Sequence, residues 1–581
     1  MKTRNPTTRR WRSLGELENS PDFQEFVQRE FPVAASEFPT GVSRRRWLQL
    51  MGASFALASA AGCRWETEQI AAFSERPEGR VPGEREKFAT AIELAGGVRH
   101  LLVTCVDGRP IKAEGNPDHP ASGGATDIYA QAAILDLYDP DRSGEIVERA
   151  VQDTFVRDWD AFDTWAQNHF VELRAKEGRG LAVLIEPTAS PALHGQLRQL
   201  RESLPLSRLF EHASLPRDNE SRGAEMAFGQ PLRPVFELHR ARVIVCLDED
   251  LIGRHPNALR HARDYASRRD PNGDWMNRLY AVESQFSITG AAADHRVPVR
   301  SSEIGKFLVA IEEAVDKFEA GQDNPEATLP GEAAIEERIA LAIASDLVRH
   351  RGASVIAVGM HQPPELHARA ARLNDRLGNL GTTVRYGMDP AFHGKTANLQ
   401  SLTKAMQAGE VDTLLVLGGN PVFDAPADMP FTKALANVPH SIRLGIYNDE
   451  TSQLCQWHLP ESHPLEQWGC FRGGDAIISV SQPLIESLRN GRSPLELLAR
   501  LTGDRRTPLE IARAAVDEAM DGSLTDKQWR RIVHEGFVSA ALGPSLTDLP
   551  RSVARDLPEI NVVETPLELV FKHSDCVHDG R

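Results

Sequence analysis

DTLLVLGGNP, residues 412–421, sets four consecutive apolar residues, Leu414–Leu417, against a Gly-Gly-Asn-Pro turn. A strand with one wet face alternates apolar and polar side chains. This run does not alternate, so it predicts a strand covered on both faces, as in a parallel sheet with helices above and below. Ligands of such sheets sit beyond the carboxyl ends of the strands, where the Gly418-Gly419-Asn420 turn falls. Its backbone N–H groups could approach a phosphate, although a plain tight turn needs the same residues.

Four more segments follow the pattern: LAVLIEPTAS from Leu181, RVIVCLDED from Arg242, SVIAVGMHQ from Ser354 and SIRLGIYND from Ser441. Helical periodicity lies between them, over Ile335–Arg349 and Pro364–Leu377. Alternating strands and helices predict doubly wound α/β layers. With 581 residues the chain exceeds one core, since single cores stop growing near about 250–300 residues. The polar, Gly/Pro-bearing stretch 318–331 (EAGQDNPEATLPGE) divides the α/β part into a first lobe, 146–330, and a second, 331–500. Residues 501–581 follow as a helical and extended segment.

Upstream, Phe88–Gly124 reads FATAIELAGGVRHLLVTCVDGRPIKAEGNPDHPASGG. Short strands broken by turns at Asp107-Gly108, Gly115-Asn116 and Gly123-Gly124 predict a small β-rich unit within 64–145.

The first 63 residues have another character. SPDFQEFVQREF, residues 20–31, predicts a short helix capped by Ser20, with Phe23, Phe26, Val27 and Phe31 on one face. SRRRWLQLMGASFALASAAGC, Ser43–Cys63, places Arg44 and Arg45 before a small-residue apolar run. Charged start, apolar middle and small-residue end make an export signal, and the arginine pair marks the twin-arginine route for folded proteins. As a buried helix the segment would be poor, because basic residues at a helix start oppose its dipole. Gly62-Cys63 resembles a lipoprotein processing site, which makes Cys63 the candidate lipid-bearing residue. The expected location is the periplasmic face of the cytoplasmic membrane.

Lys plus Arg is 66 and Asp plus Glu 82, a net charge of −16. A nucleic-acid partner is disfavoured, because such partners select basic surfaces. Cys63, Cys105, Cys246, Cys455, Cys470 and Cys576 include no CxxC-type pair, the usual source of zinc and iron–sulfur ligands.

DGRPIKAEGNPDHPASGG (Asp107–Gly124) resembles the early segment of molybdopterin oxidoreductases of the dimethyl sulfoxide reductase type. ITGAAADHRVPVR (Ile288–Arg300), GNLGTTVRYG (Gly378–Gly387), VLGGNPVFDAPAD (Val416–Asp428), WHLPESHPLEQWG (Trp457–Gly469) and SQPLIE (Ser481–Glu486) resemble later landmarks of that fold. RWRSLGEL (Arg10–Leu17), ahead of an internal twin-arginine signal, is similar to the molybdopterin oxidoreductase-like subunit of alternative complex III, a bacterial quinol-oxidising assembly.

The resemblance implies a multi-domain α/β fold with a small β-rich N-terminal unit and two doubly wound lobes. In the catalytic family that unit holds a [4Fe–4S] cluster on four cysteines. Only Cys105 stands in the expected window here, and Ala125-Thr126-Asp127 occupies the fourth position, so this chain's cysteines do not support a cluster. Cys105 reads as a small buried hydrophobe. A molybdenum ligand is expected within Ala213–Gln230, which has no cysteine. Asp218 and Ser221 there read as solvated loop residues. His119, His295, His458 and His463 are not spaced as a metal triad. If molybdopterin guanine dinucleotide binds, the implied contacts are Gly418, Gly419 and Asn420, with Thr289, Gly290, Asp294, His295 and Arg296.

Three functional readings result. The first is an exported scaffold subunit of a respiratory complex, without its own molybdenum or iron–sulfur centre. Its implied partners are multi-haem cytochrome and membrane quinol-binding subunits, a ferredoxin-like iron–sulfur subunit or region, and the twin-arginine translocase. The second is a genuine molybdopterin enzyme. The third is a truncated interaction protein, because similar proteins continue past the closing DGR into a ferredoxin-like region.

Overall fold

In a computed structural model the chain divides into two compact units, Met1–Arg80 and Val81–Arg581. The structure describes residues 20, 21, 23 and 24 of the first. Of the second it describes 81–538, apart from 82, 95, 151–152, 322–334, 389–396 and 475–476, together with 567–574. Ser20 caps the first-unit helix, accepting from the Phe23 N–H at 3.3 Å. Arg44, Arg45 and Cys63 lie outside the described residues.

The second unit opens with a three-stranded antiparallel sheet, Arg85–Leu94, Gly97–Val106 and Arg109–Gly115. Its second hairpin turns at Asp107 and Gly108, both at positive φ (50° and 80°), the pairing that a tight hairpin needs. Cys105 is fully buried in this sheet's core. Where a fourth cluster cysteine would stand, Asp127 instead caps the helix Ile128–Leu137 and pairs with Arg99 at 2.5 Å.

The five apolar runs are strands, and all lie in parallel pairs. The larger sheet has eight strands in the spatial order Ala397–Asn398, Arg208–Glu211, Leu181–Ile185, Thr413–Leu417, His440–Gly445, Trp457–Pro460, Ile146–Arg149 and Thr154–Arg157. The first six are parallel, and the last two form an antiparallel hairpin on the edge. Val183, Ile185, Leu415 and Leu417 face one helical layer, where they meet Phe162, Phe170 and Leu197. Ala182, Leu184, Leu414 and Val416 face the other, against Leu402, Met406 and Phe431. Two covered faces explain the unbroken apolar runs. Each fully buried Leu, Val or Ile contributes about 1.5–3 kcal/mol.

The smaller sheet is wholly parallel, in the order His295–Pro298, Arg278–Glu283, Val243–Leu247 and Ser354–Val358. Its two faces feed separate cores. The lobes are therefore not the consecutive blocks 146–330 and 331–500. Each sheet takes strands from both sides of residue 330, because strand pairing is settled by packing across layers and not by order along the chain. Among the described residues no helix is long and apolar enough to cross a membrane.

Candidate functional site: an acid-rich cleft at the strand ends

Parallel strands from both sheets end on one cleft of about 1300 Å3. Residues following four of these strands enter it: Glu186 after Leu181–Ile185, Asp248 to Asp250 after Val243–Leu247, Gly418 to Asn420 after Thr413–Leu417, and Glu461 after Trp457–Pro460. Carboxylates thus arrive from several directions. Glu249 is buried, and desolvation pushes its carboxyl up to about 8. Desolvation likewise lifts Glu461 to about 7, with Arg443 opposing the rise. Glu93 reaches in from the N-terminal sheet and is raised to about 7 by desolvation. Burial alone would raise Glu220, but the Arg217 and Arg233 guanidinia hold it below its ordinary value. The ring centroids of His255 and His261 are 4.5 Å apart, and both imidazoles are kept neutral, chiefly by burial.

The Gly418-Gly419-Asn420 turn lines this cleft, with both glycines at positive φ (73° and 67°). Arg443 holds it from behind. One guanidinium nitrogen donates to the Gly418 carbonyl at 2.9 Å, and the other to the Gly419 carbonyl and, at 2.9 Å, to Asp449. Asn420 accepts from the Thr451 N–H (3.2 Å) and hydroxyl (2.6 Å), and donates to Glu450 at 2.8 Å. The Glu186 side chain lies against the turn: a Cβ on Gly418 would come within 2.8 Å of its Oε2.

The second implied group does not reach the cleft. Thr289 is fully buried; its N–H and hydroxyl donate to Asp250 at 3.0 and 2.7 Å. Gly290 gives room to Glu283, whose carboxylate a Cβ would strike. Asp294 pairs with Arg269 at 2.9 Å, His295 stacks on Tyr280, and Arg296 pairs with Glu283 at 2.5 Å.

The other singled-out residues serve local contacts. His119 stacks on His100 at 3.4 Å, and the Ser479 hydroxyl lies 3.2 Å from His119 and 3.0 Å from His100. His458 meets the Ser143 hydroxyl at 2.6 Å, and His463 caps a 3-10 turn. Asp218 and Ser221 are not in a loop. Asp218 starts the helix Asp218–Phe228, and Ser221 is buried on it, beside Gly223, whose missing side chain admits the neighbouring helix at His367. Small, helix-neutral residues hid this helix from a periodicity reading.

Sequence reading missed the acids Glu93, Glu186, Glu249 and Glu461. It also missed a dyad on the cleft wall, where His212 lies 2.9 Å from Asp424, itself bonded by the Ser214 hydroxyl at 2.9 Å. A signal existed for three of the acids: each follows an apolar strand within two residues.

A molybdopterin guanine dinucleotide carries one pyrophosphate, which needs cations or free N–H donors. Here the chain's own groups take those places. The Glu93 carboxylate accepts from the Ala189 N–H (2.7 Å) and the Thr188 hydroxyl (2.6 Å), just ahead of the helix Pro191–Ser203. The helix itself is capped by Ser190, which accepts from the Leu193 N–H, so Glu93 fills the turn ahead of it. Glu186 covers the glycine turn, and Arg99 and Arg443 are already paired with Asp127 and Asp449. Arg443 and Arg472 line the cleft, each with a buried Nε that has no hydrogen-bond partner among the described residues, and Arg222, Arg254 and Lys572 line it too.

No family model matches the chain. It is 21% identical over 520 residues to the menaquinone reductase, molybdopterin-binding-like subunit of Nitratidesulfovibrio vulgaris strain Hildenborough, covering 81% of this chain and 73% of that one. Acetylene hydratase from Pelobacter acetylenicus superimposes with a TM-score of 0.57 at 15% identity, over 76% of this chain and 74% of that one. In fold this chain is molybdopterin oxidoreductase-like, with a small β-rich N-terminal sheet set before its α/β layers.

Proposed function

We propose that the chain is a molybdopterin oxidoreductase-like scaffold subunit of a membrane-associated respiratory complex that exchanges electrons with a quinone. Likeness to a menaquinone reductase subunit along four-fifths of the chain supports the quinone-linked setting. The quinol-oxidising assembly of the alternative complex III type is the finer assignment. One observation carries the scaffold role: Glu93 takes the Ala189 N–H and Glu186 lies against the glycine turn, so the chain's own carboxylates sit at two of the cleft's backbone anion sites. In this reading electrons pass through haem and iron–sulfur partner subunits, while this chain supplies docking surfaces. Arg44 and Arg45 direct export by the twin-arginine route, and Cys63 carries the lipid that holds the chain at the periplasmic face.

The alternative, a genuine molybdopterin enzyme, is favoured by Arg472. Purification from solubilised native membranes, with metal analysis and partner identification on one sample, separates the two. The scaffold reading expects molybdenum far below one atom per chain, together with haem-bearing partners. One molybdenum atom per chain, or isolation without partners, would reject it.

A further inference from the structure

Outside the cleft, three ligand-type side chains meet between a 3-10 turn and a helix. Glu237 immediately precedes the turn Leu238–Arg240, which carries His239. Asp264 lies on the helix Ala258–Ala266. One ligand atom from each falls within 4.8 Å of the others. His239 Nδ1 is 3.6 Å from Glu237 Oε2 and 3.4 Å from Asp264 Oδ2. Those separations are long for hydrogen bonds. They match the edge of a tetrahedron around an ion that holds N and O ligands at about 2.0–2.1 Å, an edge of about 3.3–3.4 Å.

A second observation points the same way. Asp264 is only 8% exposed, and its Oδ2, the atom aimed at the cluster, has no hydrogen-bond partner among the described residues. A buried carboxylate oxygen without a hydrogen bond is costly, and here only longer ion-pair contacts to His239 and Arg260 offset it. The scaffold around it is fixed. The Glu237 N–H donates to the Thr383 carbonyl at 2.8 Å, and the His239 carbonyl accepts from Arg268 Nε at 2.7 Å. His239 is 37% exposed at its side chain, which leaves a way in from solvent and room for water ligands.

We propose that Glu237, His239 and Asp264 bind a divalent first-row transition ion, fastening the 3-10 turn to the helix. Two carboxylates and an imidazole form a donor set that zinc accepts. Arg260 competes for the same carboxylates: it donates to Glu237 Oε2 at 2.7 Å, and its Nε lies 3.6 Å from Asp264 Oδ2. The site therefore exchanges one cation for another, and the guanidinium swings outward when the ion enters. This assignment does not depend on the scaffold reading above.

The test uses the chelator-treated full-length chain, titrated with zinc chloride by calorimetry, with thermal melts and cobalt spectra in parallel. One zinc equivalent is expected in the wild type and is lost in His239→Ala and Asp264→Asn. Arg260→Gln removes the competitor and should bind zinc at least tenfold more tightly, with a zinc-dependent rise in Tm. Visible cobalt d–d bands should appear in wild type and Arg260→Gln but not in His239→Ala. The half-exposed His239 makes that variant the one least able to disturb folding, and far-UV circular dichroism checks Asp264→Asn. Equal zinc stoichiometry in wild type and His239→Ala would overturn the proposal. So would an Arg260→Gln protein that is destabilised and gains nothing from zinc, since Arg260 would then be the only cation the carboxylates serve.

Discussion

Arg142 and Glu466 form a bidentate pair at 2.7 and 3.1 Å, with both side chains fully buried. Glu466 also accepts from the His463 and Leu488 N–H groups at 2.7 and 3.0 Å. A buried charge robbed of its partner is far more costly than the pair is worth. Arg142→Met should therefore lose about 3–5 kcal/mol in urea denaturation. Arg142→Met with Glu466→Leu should recover most of that; a double variant as unstable as the single would contradict the argument. Glu461 makes a different point. Its carboxyl titrates near 7 in the folded chain and near its ordinary value when unfolded. As pH rises past that ordinary value, the unfolded chain gives up its proton while the folded chain keeps it. Stability conferred by the acid therefore falls until about pH 7. Glu461→Gln has no such proton to lose, so its stability relative to wild type should grow between pH 5 and pH 8, by about 1–3 kcal/mol. Urea midpoints at the two pH values read this directly, and a constant difference would exclude it. Neither Arg142 nor Glu461 declares its burial in the sequence, where each is one more charged residue among many.

Some elements carry local signals at their ends that a pattern of apolar residues does not capture. The helix Pro494–Thr502 starts at Ser493, with Pro494 in its first turn and the Glu496 side chain returning to the Ser493 N–H at 2.6 Å. It stops at Gly503, at φ 79°. Such start and stop signs are written within ten residues. Ser493→Ala should cost about 1 kcal/mol in the denaturation midpoint. The effect should be cooperative with the large sheet, because Leu497, Leu498 and Leu501 belong to that sheet's core. A loss of helix signal without any shift of the midpoint would contradict this. The strands Leu181–Ile185 and Thr413–Leu417 were readable because a doubly covered strand must be apolar throughout. Ala397–Asn398 and Thr154–Arg157 were not, because short edge strands gain their conformation from a neighbour and carry little pattern of their own. The helix Asp218–Phe228 escaped for a similar reason. Its buried face is mostly small, Ser221, Gly223, Ala224 and Ala227, with Glu220 on it and Phe228 at its end, so the apolar stripe is weak.

At the scale of the whole molecule, the eight-stranded sheet places Leu181–Ile185 directly beside Thr413–Leu417. A fragment ending near residue 330 would lose the three strands between Thr413 and Pro460, which include the centre of that sheet. Residues 81–330 alone should show no cooperative thermal transition, whereas two consecutive lobes would let that fragment melt as a unit. The sequence alone determined the fold class, through apolar runs that only doubly covered strands require, and the lack of paired cysteines. These properties reside in a few neighbouring residues and survive any arrangement of the rest. Tertiary structure decided which strands sit together and which loops therefore share a cleft. It brought Gly418–Asn420 there and kept Thr289 to Arg296 away. It set Glu93 against the residues just ahead of a helix about a hundred residues further on, and gathered Glu237, His239 and Asp264 at one point. Such meetings depend on long-range packing across layers, which a single chain's local pattern does not encode in readable form.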